Sequence, residues 1–248
     1  MRGTWVVVAC MAVMAATTGR ADALVERESK RIMPPFKPLD VRVTVGEIEI
    51  RATDRADIVI EVEREAPDVA GLARIPVDIA DTEESLIVNV TQRDGGKLAT
   101  LRARVVVLVP LVTAVRQVSV FEGRIGVSGL RGSIQARIER GPIQAEDLAG
   151  VVRLETVAGD LVIERSDLRA DGLLRLRTFN GSIRIGLVRA PKDARVLLLT
   201  LSGGITSDLP LSERQGFGPR FREGTFGTAQ PLLSADAVRG DISLTVAK

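Results

Sequence analysis

Apolar and polar residues alternate along most of the chain from Leu39 onward. Residues 39–50 read LDVRVTVGEIEI, in which every second residue is apolar and the phase shifts by one position at Gly46. Alternation with a period of two is typical of β-strands that bury one face. Apart from residues 67–74, no segment shows the periodicity of an amphipathic helix. The pattern therefore predicts an all-β chain.

Glycines mark a repeat in the central part of the chain. From Gly123 to Gly159 a glycine occurs every nine residues, and Ile, Leu or Val follows each one two positions later. Taken in pairs, these glycines define an 18-residue unit, which lengthens to 22 residues between Gly159, Gly181 and Gly203. A threonine precedes each of these last three glycines by three positions. The glycines that we predict to lie at turns are Gly123, Gly132, Gly141, Gly150, Gly159, Gly172, Gly181, Gly203 and Gly240.

The strands that begin near residues 132, 150, 172 and 194 share one pattern. Their third positions are Ile134, Val152, Leu174 and Val196, and their fifth positions are apolar as well. Equivalent residues at a nearly constant spacing stack when successive coils lie side by side. We therefore predict a single-domain β-solenoid, similar to a parallel β-helix, with two main strands per coil of 18–22 residues. An antiparallel β-sandwich, which also alternates and turns often, is the alternative. The N-terminal third repeats less clearly and is compatible with antiparallel hairpins.

A long insertion interrupts the last coil at residues 208–231. It contains half of the six phenylalanines of the chain, and its candidate contact residues are Phe217, Arg220, Phe221, Arg222 and Phe226. Because exposed aromatic residues often anchor interfaces, the insertion is a candidate partner-binding loop. Alternatively, it forms a flap or hairpin that covers an open end of the solenoid, which needs a cap. The cap is the preferred interpretation.

Charged residues occupy outward positions of the predicted strands. The expected surface charge ladder consists of Arg137, Arg153, Glu155, Arg175 and Arg177. It is either a stripe that binds a polyanion or glycan, or a solvated face in which each exposed ion pair contributes well under about 1 kcal/mol. The solvated face is preferred. On the other face Glu146 is expected to lie beside Glu164, but no aromatic sugar platform accompanies these carboxylates.

Composition excludes several kinds of chemistry. The chain has no histidine and a single cysteine, Cys10, so zinc sites and nucleophile–histidine systems are excluded. The G-G-x-G-x-D repeat of calcium-binding β-rolls is missing as well. We therefore expect no cofactor, no metal and no catalytic residues. The net charge of +2 is spread along the chain, so a nucleic-acid partner is not expected either.

The N-terminus has the features of an export signal. Arg2 is followed by an apolar stretch at residues 6–16 and by the Ala21-Asp22-Ala23 sequence, typical of a cleavage site. We predict a signal peptide at residues 1–23, a leader at 24–38 and the β-solenoid domain at 39–248. No later apolar run is long enough for a transmembrane span. Lipidation at Cys10 is not favoured because apolar residues continue beyond it.

The sequence of the predicted coils resembles that of a known family. GDLVI, LRTFNGSIRIGL, DARVLLLTLSGGITSDLPL and the closing LLSADAVRGDISLTV are similar to the bacterial putative-adhesin domain, a domain of unknown function with G-x-I/V repeats. The resemblance spans residues 39–246 and is strongest from Gly123 onward. It implies a β-solenoid, an exported or membrane-linked envelope protein, and no established active site.

These observations lead to one functional hypothesis and one alternative. We expect a non-enzymatic protein of the periplasm or cell surface with an adhesive, scaffolding or envelope-stress regulatory role. Its partner would be an envelope protein or a polysaccharide, bound through the extended surface. The alternative is a polysaccharide-active β-helix enzyme, a lyase or a glycosidase, that uses carboxylates and arginine.

Overall fold

The chain is all-β, with one short helix. The computed structural model describes residues 12–14, 23–92, 101–168, 172–214 and 218–247. Cys10, Phe217 and most of the predicted signal peptide lie outside the described residues. No helix among the described residues is long and apolar enough to cross a membrane.

The strands of the N-terminal part form a mixed arrangement. They are β1 (Ala12–Met14), β2 (Leu24–Ile32), β3 (Leu39–Thr53), β4 (Ile58–Ala66), β5 (Val77–Asp81), β6 (Leu86–Val90) and β7 (Arg102–Pro110), with helix α1 (Val69–Leu72) after β4. Strands β2, β4 and β7 pair antiparallel, whereas β3 runs parallel to β6 and β7. The segment predicted as a leader thus contains β2, an outlying strand whose charged side chains are only partly covered.

Thirteen further strands follow in the described chain. They are β8 (Val115–Ser128), β9 (Ser133–Arg140), β10 (Ile143–Glu146), β11 (Val151–Ala158), β12 (Leu161–Ser166), β13 (Leu173–Asn180), β14 (Ile183–Leu187), β15 (Ala194–Ser202), β16 (Ile205–Ser207), β17 (Ser212–Arg214), β18 (Arg220–Phe226), β19 (Leu232–Arg239) and β20 (Ile242–Val246). Together with β1 to β7 they are connected in one large, open sheet.

Most of these strands belong to two parallel ladders. The first ladder consists of β9, β11, β13, β19 and β15, in that spatial order. The second ladder consists of β10, β12, β14, β20 and β16. Strands β3 and β8 are long enough to take part in both ladders. Each of these two strands passes from the first ladder to the second at a glycine, and these glycines, Gly46 and Gly123, lie opposite each other.

The last strand pair does not lie at the end of the ladders. β19 lies between β13 and β15, and β20 lies between β14 and β16. Leu174 is therefore opposite Leu233, which in turn is opposite Val196. The predicted direct stacking of Leu174 on Val196 is wrong, while Ile134, Val152 and Leu174 are neighbours as predicted. A long insertion permits this order because loop-closure entropy rises only slowly with length.

Inward side chains of both ladders form one continuous hydrophobic core. It is built from Val, Ile, Leu and Ala, and residues such as Ile134, Leu176 and Ile183 are almost completely buried. No described phenylalanine is fully buried. The predicted inward columns are thus confirmed as the core, and the few aromatic residues remain at its edge or on the surface.

A column of glycines lies where the chain passes from the first ladder to the second. Gly141 has a φ of 133°, and a Cβ there would overlap the carbonyl oxygen of Gly123. The same close approach continues along the column, whose members are Gly46, Gly123, Gly141, Gly159, Gly181, Gly240 and Gly203. The Oγ1 atoms of the threonines before these glycines donate to glycine carbonyl oxygens, as from Thr178 to Gly159 at 3.1 Å. The column thus requires glycine for space and backbone conformation.

Candidate binding face

The outward side of the first ladder displays the residues predicted from the charge pattern. Successive strands place equivalent outward residues side by side at about 4.8 Å. We call the outward-facing residues of β9, β11, β13, β19 and β15 the outer face. The outer face is charged at the end formed by β9 and β11 and more apolar toward β15.

The end of the outer face at β9 and β11 is charged and paired. The Arg137 guanidinium donates to Glu139 and Glu155, each at 2.9 Å. Its hydrogen bond to Glu139, together with the attraction of Glu155, raises the pKa of Arg137 above its ordinary value. These side chains are between a third and a half exposed, so their ion pairs contribute little to stability.

The predicted charge ladder continues onto β13, where its arginines are not hydrogen-bonded to described carboxylates as Arg137 is. Arg153 lies opposite Arg175, and Arg177 lies between Glu155 and Asp236. No described carboxylate comes within ion-pair distance of Arg153, Arg175 or Arg177. The five predicted ladder residues are therefore brought together on one face, but only Arg137 and Glu155 form a direct pair.

Asp236 is a carboxylate in an apolar and cationic setting. It lies between Arg177 on β13 and Leu199 on β15. Burial raises the pKa of Asp236, and the charges of Arg175 and Arg177 act in the opposite direction without cancelling the effect. The acid form of this side chain is therefore favoured relative to an ordinary aspartate.

An apolar stripe runs across the outer face next to the glycine column. Phe179 lies between Val157 on β11 and Val238 on β19, and Leu201 follows on β15. The side chains of Phe179 and Leu201 are 49% and 58% exposed. Large apolar residues that adjoin one another on a surface are typical of interaction sites, whereas isolated ones are not.

Leucines extend this stripe across β15. Leu197 and Leu199 occupy outward positions and are partly exposed. We call the outward residues of β13, β19 and β15 the amphipathic block. Its apolar members are Leu173, Phe179, Leu197, Leu199, Leu201, Leu232 and Val238; its charged members are Arg175, Arg177, Arg195 and Asp236.

Sequence reasoning did not identify this block as a site. A signal was present, because RVLLLTLS places leucines at outward positions that carry arginine or glutamate in earlier copies. The block forms only because β19 inserts between β13 and β15 and brings Val238 beside Phe179 and Leu201. That neighbourhood depends on strand order rather than on local pattern.

The insertion forms a hairpin beside the block. β18 pairs antiparallel with β15, and β17 pairs with β18. Phe226 packs partly against the core, and Phe221 lies opposite Leu199. Arg222 forms an ion pair with Glu213 at 3.1 Å, and Arg220 lies opposite Thr200.

The remaining surfaces offer less for recognition. Glu146 lies opposite Glu164 on the second ladder, as predicted, but it forms an ion pair with Arg165. A depression of about 510 Å³ lies near β2 and β4, where side chains of both signs, including Arg27 and Glu63, line it. Among the described residues no cluster of acidic side chains is arranged to hold a metal ion. Neither surface combines an apolar centre with convergent polar groups, the arrangement typical of small-molecule sites.

A fold similar to that of this chain is found among solved structures. A protein from Clostridium sporogenes, described as a putative cell adhesion protein, has a TM-score of 0.52 at 10% identity, covering 90% of this chain and 100% of that one. A putative adhesin from Bacteroides fragilis has a TM-score of 0.40 at 11% identity over 89% and 97% of the two chains. No family model matches the sequence, and no curated protein matches it. The predicted likeness to adhesin-type proteins is thus confirmed for the fold.

Proposed function

We propose that this chain is an exported, non-enzymatic protein of the cell envelope that binds its partner through the amphipathic block. In this proposal the two parallel ladders are the two sides of a β-solenoid with two main strands per coil. The registers along both ladders support that arrangement. An adhesive or scaffolding role fits a rigid β-scaffold that presents one extended face.

The observation that carries the proposal is the contrast between the two ends of the outer face. Arg137 at one end forms hydrogen bonds with two glutamates, whereas the block combines exposed Phe179 and Leu201 with arginines that form no ion pair with a described residue. Exposed apolar side chains beside arginines without direct ion pairs contribute little to folding stability. Such a surface is expected where another molecule covers it.

Binding to isolated native envelopes tests this proposal. The double variant Phe179→Ser/Leu201→Ser should bind about tenfold more weakly than the unmodified protein, because two apolar contacts are removed. Phe121→Ser is the matched control: its side chain is similarly exposed, at 46%, but lies outside the block and under the Arg140 guanidinium. Equal binding of all three proteins would contradict the proposal.

The non-enzymatic part has a separate test. Purified protein is incubated with polysaccharide from the same envelopes, and reducing and unsaturated ends are assayed. We expect no release above the rate without protein. Release that is lost on Glu146→Gln or Glu164→Gln would replace the binding proposal with the alternative, a glycan-cleaving enzyme.

A further inference from the structure

The amphipathic block has a composition that selects one kind of partner. We propose that it binds the anionic headgroup layer of a lipid bilayer, with the apolar stripe inserted into the interface. This inference rests on the proposed function, because it assigns a partner to the same face.

Charge is the first argument for an anionic surface. The block carries three exposed arginines and one carboxylate, and none of Arg175, Arg177 and Arg195 forms an ion pair with a described residue. Guanidinium groups bind phosphate oxygens in a bidentate manner. The Asp236 carboxylate offsets part of this positive charge, since Arg177 lies opposite it and both Arg175 and Arg177 attract it, but the arginines outnumber it.

The kind of apolar side chain argues for a bilayer rather than a glycan. Recognition of sugar rings relies on aromatic platforms, yet Phe179 is the block's only aromatic residue and the rest of the stripe is aliphatic. Leucine, valine and phenylalanine gain free energy on transfer to the acyl boundary of a membrane. Arginines beside them keep their guanidinium groups at headgroup level while their stems cover apolar surface.

Shape is the third argument. Outward residues of three neighbouring strands lie side by side on one sheet surface, and no residue of the block lines the depression of about 510 Å³ near β2 and β4. A planar bilayer can contact such a surface along its whole extent. A small molecule would need a concave site to bury a comparable share of its area.

Vesicle sedimentation tests the proposal with the full chain. Vesicles of phosphatidylcholine alone are compared with vesicles of phosphatidylcholine mixed with phosphatidylglycerol, at low and at high salt. We expect stronger binding to the mixed vesicles than to phosphatidylcholine alone, and weaker binding at high salt because of screening. The apolar segment at residues 6–16 is present in every protein compared, so differences between variants report on the block.

Two variants and one matched control assign the binding to the block. Arg175→Gln/Arg177→Gln should bind the mixed vesicles roughly thirtyfold more weakly. Phe179→Ser/Leu201→Ser should lose binding to a similar extent. Arg137→Gln removes an arginine that two glutamates already neutralise, and it should bind like the unmodified protein. Circular dichroism melts establish that each variant is folded.

Four results would overturn the proposal. Two concern the vesicles: equal binding to both kinds of vesicle, and an equal loss of binding in Arg137→Gln and in Arg175→Gln/Arg177→Gln. The third is binding of a soluble acidic polysaccharide that does not need Phe179 and Leu201. The fourth is a dimer, detected by light scattering, that dissociates in Phe179→Ser/Leu201→Ser. Binding to native envelopes without binding to vesicles would refute the lipid partner and leave the proposed function standing.

Discussion

At the scale of single residues, the glycine column combines close backbone approaches with hydrogen bonds from threonine hydroxyls. Each glycine carbonyl approaches the next glycine along the column, and a threonine hydroxyl donates to several of those carbonyls, for example from Thr156 to Gly141 at 3.1 Å. Ala237 takes the threonine position in the inserted strand β19. The column therefore depends on small backbone groups first and on the hydroxyl second.

Gly141→Ala should destabilise the fold strongly. The added Cβ would overlap the Gly123 carbonyl oxygen, and alanine is strained at this positive φ. We expect a loss of at least about 2 kcal/mol in the free energy of unfolding, measured in urea. Gly126→Ala is the control, because the nearest atom to its Cβ would be at 3.6 Å. Similar stability of the two variants would contradict the role of the column.

Asp236 should make stability depend on pH. Because burial raises its pKa in the folded state, the folded chain holds this proton more tightly than the unfolded chain. Its contribution to stability therefore falls as the pH rises from the ordinary aspartate value of about 4 through the raised pKa. Asp236→Asn should remove this fall, so the variant should gain stability relative to the unmodified protein between pH 4 and pH 7. A loss of stability in Asp236→Asn over this pH range would mean that attraction of the carboxylate to Arg175 and Arg177 outweighs the effect of burial.

At the scale of elements, the hairpin β17–β18 shows how one segment serves two surfaces. β18 supplies hydrogen-bond partners to β15, so β15 is not a bare edge. Phe226 at one end of β18 contacts the core, whereas Phe221 lies opposite the outward Leu199. The position of Phe226 suits the interpretation as a cap, and the position of Phe221 suits the interpretation as a partner-binding loop. We propose capping as the role of Phe226.

Phe226→Ala tests the capping role. Removal of a partly buried phenyl ring should lower the free energy of unfolding by about 1–3 kcal/mol, less than at a fully buried site. Phe121→Ala removes the same ring at a half-exposed position and should change the free energy of unfolding by under about 1 kcal/mol. Urea unfolding curves of the two variants give the comparison. Little or no effect of Phe226→Ala on stability would favour a purely partner-binding insertion.

At the scale of the whole molecule, the decisive feature is the return of the C-terminal strand pair into the ladders. β19 and β20 each pair on both sides, so residues distant in the chain become neighbours in the core and on the outer face. The apolar inward positions of β19 suit an interior strand, since Leu233 and Ala235 are completely buried.

Engineered cysteines test this strand order directly. Arg175 lies opposite Ser234, so Arg175→Cys/Ser234→Cys should form a disulfide on mild oxidation. Arg175→Cys/Leu197→Cys should not, because β19 separates those strands and their Cα atoms are about 9.6 Å apart. Arg153→Cys/Arg175→Cys is the positive control, as β11 and β13 are direct neighbours. Peptide mapping of the bridges gives the answer, and a bridge from residue 175 to residue 197 would refute the observed order.

The sequence by itself determined the local features of this protein. Alternation identified the strands from Leu39 onward and the inward columns at residues such as Ile134 and Leu176, because the side-chain period of a strand is a local property. Glycine spacing located the close approaches between neighbouring strands for the same reason. The outward position of the charge ladder followed directly from this alternation.

Only the tertiary structure decided which copies are neighbours. Repeats with the same inward pattern can pair in more than one order, and the sequence placed Leu174 beside Val196 where Leu233 lies between them. The amphipathic block exists because of that order: Phe179, Val238 and Leu201 come from three segments that local pattern does not connect. Strand order is set by packing of the whole core and by the length of the insertion, and neither can be read from one strand alone.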